Sequence, residues 1–186
     1  MIRPERLEGS RIRHVELRAR SEQPPIKYSR LIMVRRAGTD FEALIQVLDN
    51  GLVVFPGGEY NSGDGDPIEA IVREVGEEGH LDRGQLRSLR NWDLLWGSFV
   101  FQISWSQGAI RCLDTCHLIQ SIDHNYYGLG NAKDEEIIQT AWVPLGLLAS
   151  GTVPFRRKVP RNIQRAAAKS VEMVPRLVRW YSKNSF

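Results

Sequence analysis

Cysteine is nearly absent from this chain, long apolar runs are missing, and acid almost vanishes after residue 150. Cys112 and Cys116 cannot build a disulfide framework, which points to a reducing, cytoplasmic setting, nucleus or organelle left open. They stand beside His117, but no second ligand pair of zinc-site spacing follows, so a zinc site is not expected. No apolar run approaches the length that spans a bilayer, and no membrane partner is expected. The N-terminus lacks a signal core, and Glu5, Glu8, Glu16 and Glu22 break up its arginines, unlike an acid-poor transit peptide. Residues 151–186 carry nine Lys/Arg against the single acid Glu172.

With 186 residues, 42% of them hydrophobic, the chain has apolar material for one domain with a real core. Its net charge of +3 divides into +4 over residues 1–30, −9 over 31–150 and +8 over 151–186. An acidic middle with basic ends suits a metal site flanked by anion-binding surface.

The acidic middle centres on Gly57 to Leu81, GGEYNSGDGDPIEAIVREVGEEGHL. Asp66 is placed to cap a helix, Pro67 fits its first position, and Glu69 completes a capping-box pattern. Gly79 suits the C-terminal cap. Ile68, Ile71, Val72 and Val75 fall on one face, and Glu74, Glu77 and Glu78 share another. Glu77 and Glu78 lie in the last turn, where the helix dipole disfavours negative charge. Acids gathered where they are locally unfavourable read either as a solvated face or as oxygen ligands for Mg²⁺ or Mn²⁺.

This stretch resembles the Nudix box, G-x5-E-x7-R-E-U-x-E-E-x-G-U with U aliphatic. The core stands at Arg73, Glu74, Val75, Glu77 and Glu78, preceded by Val53-Val54-Phe55-Pro56-Gly57-Gly58. The resemblance implies that Glu77 and Glu78 bind metal, that Glu74 binds metal or acts as base, and that Arg73 orients the glutamates. It also implies that a backbone carbonyl of Gly57 or Gly58 completes the metal site. Two positions depart from the pattern. Counting back from Arg73, Gly65 stands where the early glutamate belongs, between Asp64 and Asp66. Either a one-residue insertion lets Asp64 take that place, or the position is lost. The late glycine comes one residue early, at Gly79.

Along the chain, residues 1–27 read as a charged lead-in, 28–150 as the Nudix-like core, and 151–186 as a basic loop and C-terminal helix packed on it. Strands are expected at Ser29–Arg35, Phe41–Leu48, Leu52–Phe55, Leu86–Leu95, Ser98–Trp105 and Arg111–Ile122. Turns are expected at Gly38-Thr39-Asp40, Asp49-Asn50-Gly51 and Gln107-Gly108. Trp92, Trp96 and Trp105 read as core or cleft walls, with base stacking open to one of them. Asp123–Lys133 reads as a loop.

The resemblance extends through Asp134-Glu135-Glu136 to the strand ending Trp142-Val143-Pro144-Leu145, and implies that Glu135 or Glu136 acts as base or extra ligand. In the last helix, Ile163, Ala167, Val171, Val174 and Val178 read as the apolar face, Arg161, Arg165 and Lys169 as a basic face, and Pro175 as a kink or break.

The expected fold is α/β: a Nudix-like α/β/α sandwich with a mixed curved sheet between helices. The leading expectation is a metal-dependent pyrophosphohydrolase acting on a nucleoside diphosphate linked to a group X. Nucleotide sugars, dinucleoside polyphosphates, ADP-ribose, capped RNA and inositol pyrophosphates are all open. Arg156, Arg157 and Lys158 are candidates to hold substrate phosphates. The rival expectation is a Nudix-like module without turnover that holds RNA or a protein through its basic ends. Many relatives dimerise, so a homodimer is one expected assembly.

Overall fold

The computed structural model describes residues 24–77, 99–120, 137–155 and 157–184. Residues 1–23, the expected strand Leu86–Leu95 with Trp92 and Trp96, the cap Gly79 and the loop Asp123–Lys133 lie outside them.

Strand β1 (Ile26–Ala37) runs through the middle of a mixed sheet. Leu31, Ile32, Met33 and Val34 are buried in succession, because helices cover both sheet faces and neither face can be polar there. β1 turns back antiparallel into β2 (Asp40–Leu48), pairing Ala37 with Asp40, and Gly38 takes a φ of 61° in the turn. Asp49-Asn50-Gly51 closes the next hairpin: Leu48 N–H donates to Leu52 O at 2.9 Å, and Gly51 has a φ of 79°. Of the expected strand Leu52–Phe55, only Val53–Val54 pairs as β3. The chain then runs back along β1. Leu31 N–H donates to Pro56 O at 2.8 Å, Ser29 N–H to Gly58 O at 2.9 Å, and Tyr60 N–H to Lys27 O at 2.8 Å. This irregular strip fixes Gly57 and Gly58 against the sheet.

β4 (Phe99–Gln107) and β5 (Ile110–Gln120) form an antiparallel hairpin, and β5 lies parallel to β1 from Ile26↔Cys112 to Val34↔Gln120. β6 (Ile137–Pro144) pairs antiparallel with β2. Helix α1 (Pro67–Glu77) covers one face, packing Ile71 and Val75 on Leu31, Met33 and Ile119. Helices α2 (Leu145–Ser150) and α3 (Arg161–Asn184) cover the other, where Ile32, Val34, Ile45, Phe55, Leu118, Ile163, Ala167 and Leu177 form the larger core. The α/β/α sandwich with a mixed sheet is therefore the fold of this chain.

One expectation for α3 needs correction, and one of the two alternatives at Pro175 falls away. Val171 is 46% exposed, and the buried line runs instead through Ile163, Ala166, Ala167, Ser170, Val174 and Leu177. Two successive steps of four residues drift about 80° around a helix with 3.6 residues per turn. Ser170 is buried without penalty because its hydroxyl donates to Ala166 O at 2.9 Å. Nor does Pro175 divide the helix, which continues to Asn184. Pro175 is itself exposed, while Val174 and Leu177 on either side are buried in the same core and hold both halves to it.

Helix α1 starts where capping chemistry places it. Asp66 Oδ1 accepts from the N–H groups of Ile68 and Glu69, both at 2.8 Å. The Glu69 carboxylate accepts from Gly65 N–H at 2.9 Å, one residue ahead of the cap. Ala70, Ile71 and Val75 are buried, while Ile68 and Val72 lie at the rim of the buried face. Asp66→Ala is expected to lower stability by about 1 kcal/mol. Thermal denaturation would read this as a fall of about 2–4 °C.

Candidate active site

The two faces of α1 separate the tasks of its residues. Ile71 and Val75 hold the helix to the sheet, and the opposite side presents Arg73, Glu74 and Glu77. The Arg73 guanidinium is the hub. Its Nε and Nη2 donate to the two oxygens of Asp64, each at 3.0 Å, in the parallel fork that guanidinium and carboxylate geometry favours. Nη2 also donates to Glu59 O at 2.9 Å. Nη1 donates to Glu74 Oε1 at 2.7 Å and to Glu77 Oε2 at 3.3 Å. One nitrogen therefore gathers both carboxylates on one side of the helix, while the rest of the guanidinium grips the loop that precedes it.

Asp64 is the acid that the fold brings to Arg73. Its side chain is only 7% exposed, and Asn61 N–H donates to its Oδ2 at 2.8 Å. The Arg73 bonds, then the Asn61 bond, hold its carboxyl below the ordinary aspartate range, and the same pairing with Asp64 raises the Arg73 pKa further. Asp66 is committed to the helix cap and Gly65 to Glu69, so neither stands in for the early glutamate of the box.

The two glycines ahead of the helix meet different obstacles, backbone at Gly57 and a side chain at Gly58. Gly57 has a φ of 116°, and a Cβ there would lie 2.2 Å from Ser29 O. A Cβ on Gly58 would lie 2.2 Å from the carboxyl carbon of Glu74, so any larger residue there would displace the Glu74 carboxylate from its place over Gly58. Glu74 is 19% exposed and Glu77 63% exposed.

Glu78, Glu135, Glu136 and Arg156 lie outside the described residues, and among the described residues no three His, Cys, Asp or Glu side chains stand together as a metal-ligand group. The donors that are present are hard carboxylate oxygens, of the kind that suits Mg²⁺ or Mn²⁺, and the Glu74 carboxylate rests over Gly58. The two backbone carbonyls are both in use. Gly58 O accepts from Ser29 N–H, and Gly57 O accepts from Arg30 Nη1.

Of the basic candidates, Arg157 and Lys158 are described. Lys158 O accepts from Val53 N–H at 3.1 Å, and a Cβ on Gly51 would meet Arg157 Nη1 at 3.5 Å, which sets both residues against the β2–β3 hairpin. On α3, Arg165 Nη1 donates to Ser104 O at 2.7 Å and Lys169 pairs with Glu172 at 2.8 Å, so part of the expected basic face is tied to its own fold.

Tyr28, Arg30, Asp114 and Asn162 were not singled out by sequence reading, while Trp105 and Cys116 were. The Arg30 guanidinium lies 5.0 Å over the Tyr28 ring, and the Tyr28 and Trp105 rings are 6.0 Å apart. Asp114, 1% exposed, accepts from Asn162 Nδ2 at 2.8 Å across the face that α3 covers. Burial, with Asp114 second, pushes the Cys116 thiol up to about 12, so it is protonated and inert at neutral pH. The available signal was a charge, Arg30, standing directly before the apolar run Leu31–Val34.

The NUDIX domain model matches residues 24–163, and the chain belongs to the NUDIX domain family. No match was found among curated proteins. Solved structures share the fold. The NUDIX domain of Shewanella oneidensis NrtR complexed with ADP ribose gives a TM-score of 0.56 at 10% identity, covering 86% of this chain and 97% of that one. A C. elegans Ap4A hydrolase in a binary complex gives 0.54 at 13% identity, covering 81% and 98%. A NUDIX hydrolase from Alicyclobacillus acidocaldarius gives 0.54 at 16% identity, covering 79% and 91%. At such identities the likeness concerns the fold alone. Among the described residues, no helix is long and apolar enough to cross a membrane.

Proposed function

We propose that this chain is a pyrophosphohydrolase, dependent on Mg²⁺ or Mn²⁺, that cleaves the diphosphate linkage of a nucleoside diphosphate joined to a group X. The observation that carries this reading is the Glu74 carboxylate, seated over Gly58 and held by an arginine that Asp64 anchors. Glu74, Glu77 and Glu78 would hold the ion, which when bound neutralises diphosphate charge and makes water more acidic. Glu74, or Glu135 or Glu136, takes the proton from the attacking water. The water oxygen bonds to phosphorus as the P–O anhydride bond breaks, and the leaving phosphate keeps that electron pair. Arg73 is a positioning residue, because its guanidinium is engaged with Asp64, Glu59, Glu74 and Glu77. Arg156, Arg157 and Lys158 are assigned to distal phosphates of an extended substrate.

The test is phosphate or nucleotide release from a panel of diphosphate-linked compounds with Mg²⁺ or Mn²⁺, including capped RNA and inositol pyrophosphates. Among the described residues Glu77 makes one long contact, with Arg73, and it is mostly exposed, so Glu77→Gln should leave the melting temperature nearly unchanged. Its turnover is expected to fall about a hundredfold. Absence of turnover on every compound would sink the proposal, and the best substrate would identify X.

A further inference from the structure

Both carbonyls ahead of α1 are taken by β1, one by its backbone and one by a charged side chain. Gly58 O sits in the ladder, 2.9 Å from Ser29 N. Gly57 O receives Arg30 Nη1. A backbone carbonyl at the edge of an acidic site is a hard oxygen ligand of the kind a divalent cation seeks. Here it already has a cation, the Arg30 guanidinium.

The arginine is also held in place. Its guanidinium stacks on Tyr28, and the Tyr28 ring lies 6.0 Å from that of Trp105. Among the described residues, no carboxylate forms an ion pair with Arg30, and its buried Nε finds no acceptor. Among the described residues, the charge therefore has no ion-pair partner. It faces the Gly57 carbonyl, while the carboxylate of Glu74 lies against the next residue, Gly58.

We propose that Arg30 is a resident cation that competes with the divalent ion for the Gly57 carbonyl and thereby sets the affinity of the site for that ion. The inference rests on the metal-dependent reading above and adds to it a residue outside the box. An ion that takes the Gly57 carbonyl meets the Arg30 charge there, and a carbonyl one of whose two lone pairs is already engaged. Repulsion between charges a few ångströms apart, even at the effective dielectric of a protein surface, is large enough to dominate the binding constant.

The test is Mn²⁺ binding to the full chain, with free Mn²⁺ read by electron paramagnetic resonance. It needs no turnover. Wild type is compared with Arg30→Met, Arg30→Gln and Arg30→Lys, each checked for folding by thermal melting. Both neutral variants are expected to bind Mn²⁺ at least about tenfold more tightly, and Arg30→Lys, which keeps the charge, to remain near wild type. If Arg30→Met fails to fold, Arg30→Gln carries the comparison. Unchanged or weaker binding in the folded neutral variants overturns the proposal, as does equal tightening in Arg30→Lys. Glu77→Gln in each background separates the two readings. If it weakens binding while Arg30→Met has no effect, only the role of Arg30 fails. If Mn²⁺ binding is absent throughout, or indifferent to Glu77, the metal-site reading fails with it.

Discussion

Arg73→Ala is expected to reduce turnover about a thousandfold, since displacing a reacting group by an ångström can alone cost about a hundredfold and this change releases two carboxylates and a loop together. Nη1 is the only described donor that bridges Glu74 and Glu77, and Nε and Nη2 hold Asp64 and the Glu59 carbonyl. Because these contacts all lie within the protein, the loss should appear in kcat with little change in KM. Arg73→Lys keeps the charge but has one nitrogen where the fork has three, so it should recover only part of the rate. A KM effect as large as the kcat effect would show that Arg73 meets substrate directly.

The same pair shapes acid stability. The folded-state pKa of Asp64 is depressed, first by its bonds from Arg73. A depressed carboxylate contributes its stability above the unfolded-state pKa and loses it as pH falls through the folded value. The Arg73–Asp64 contribution should therefore be intact at neutral pH and disappear below the ordinary aspartate value of 3.8. Melting temperatures followed against pH should show this loss in wild type and not in Arg73→Ala.

Gly57→Ala is the change expected to damage the fold most. The obstacle is backbone: Ser29 O would lie 2.2 Å from the new Cβ, and a φ of 116° is strained for any L side chain. Neither can be relieved by rotating a side chain. We expect a loss of about 4 kcal/mol, at the high end for a single substitution. That corresponds to a melting temperature lower by about 10 °C. Gly63→Ala is the control, since nothing lies within 4 Å of a Cβ there. A Gly57→Ala protein that melts like wild type would show that the Gly57 strip is not held to β1 as described.

Much of the architecture is legible in the order of the residues, and the legible parts are local. Asp66 and Pro67 mark the start of α1 because capping involves donors two and three residues away. Gly38, Gly51 and Gly108 mark turns because a positive φ is a property of one residue in its own peptide unit. The stripe of α3 is legible only in part, since steps of four drift off the face and nothing local says where the drift stops counting.

The candidate site divides along the same line. Glu74 and Glu77 fall on one helix face from their spacing alone, and the box makes the family recognisable. Which acid meets Arg73 is not legible, because Asp64 lies nine positions upstream across an irregular loop, with Gly65 and Asp66 as near rivals. Arg30 meets Gly57 only because the strip after β3 doubles back along β1, at a separation of 27 positions. Asp114 and Asn162, 48 positions apart, meet only when α3 closes over the strand β5 that runs parallel to β1. The amino-acid order was enough for most elements, their ends and the family, because those depend on neighbours a few residues away. The partners of Arg73, the need for glycine at 57 and the cation at Gly57 came from the folded chain, because strand register and crossover set what lies across a gap in space.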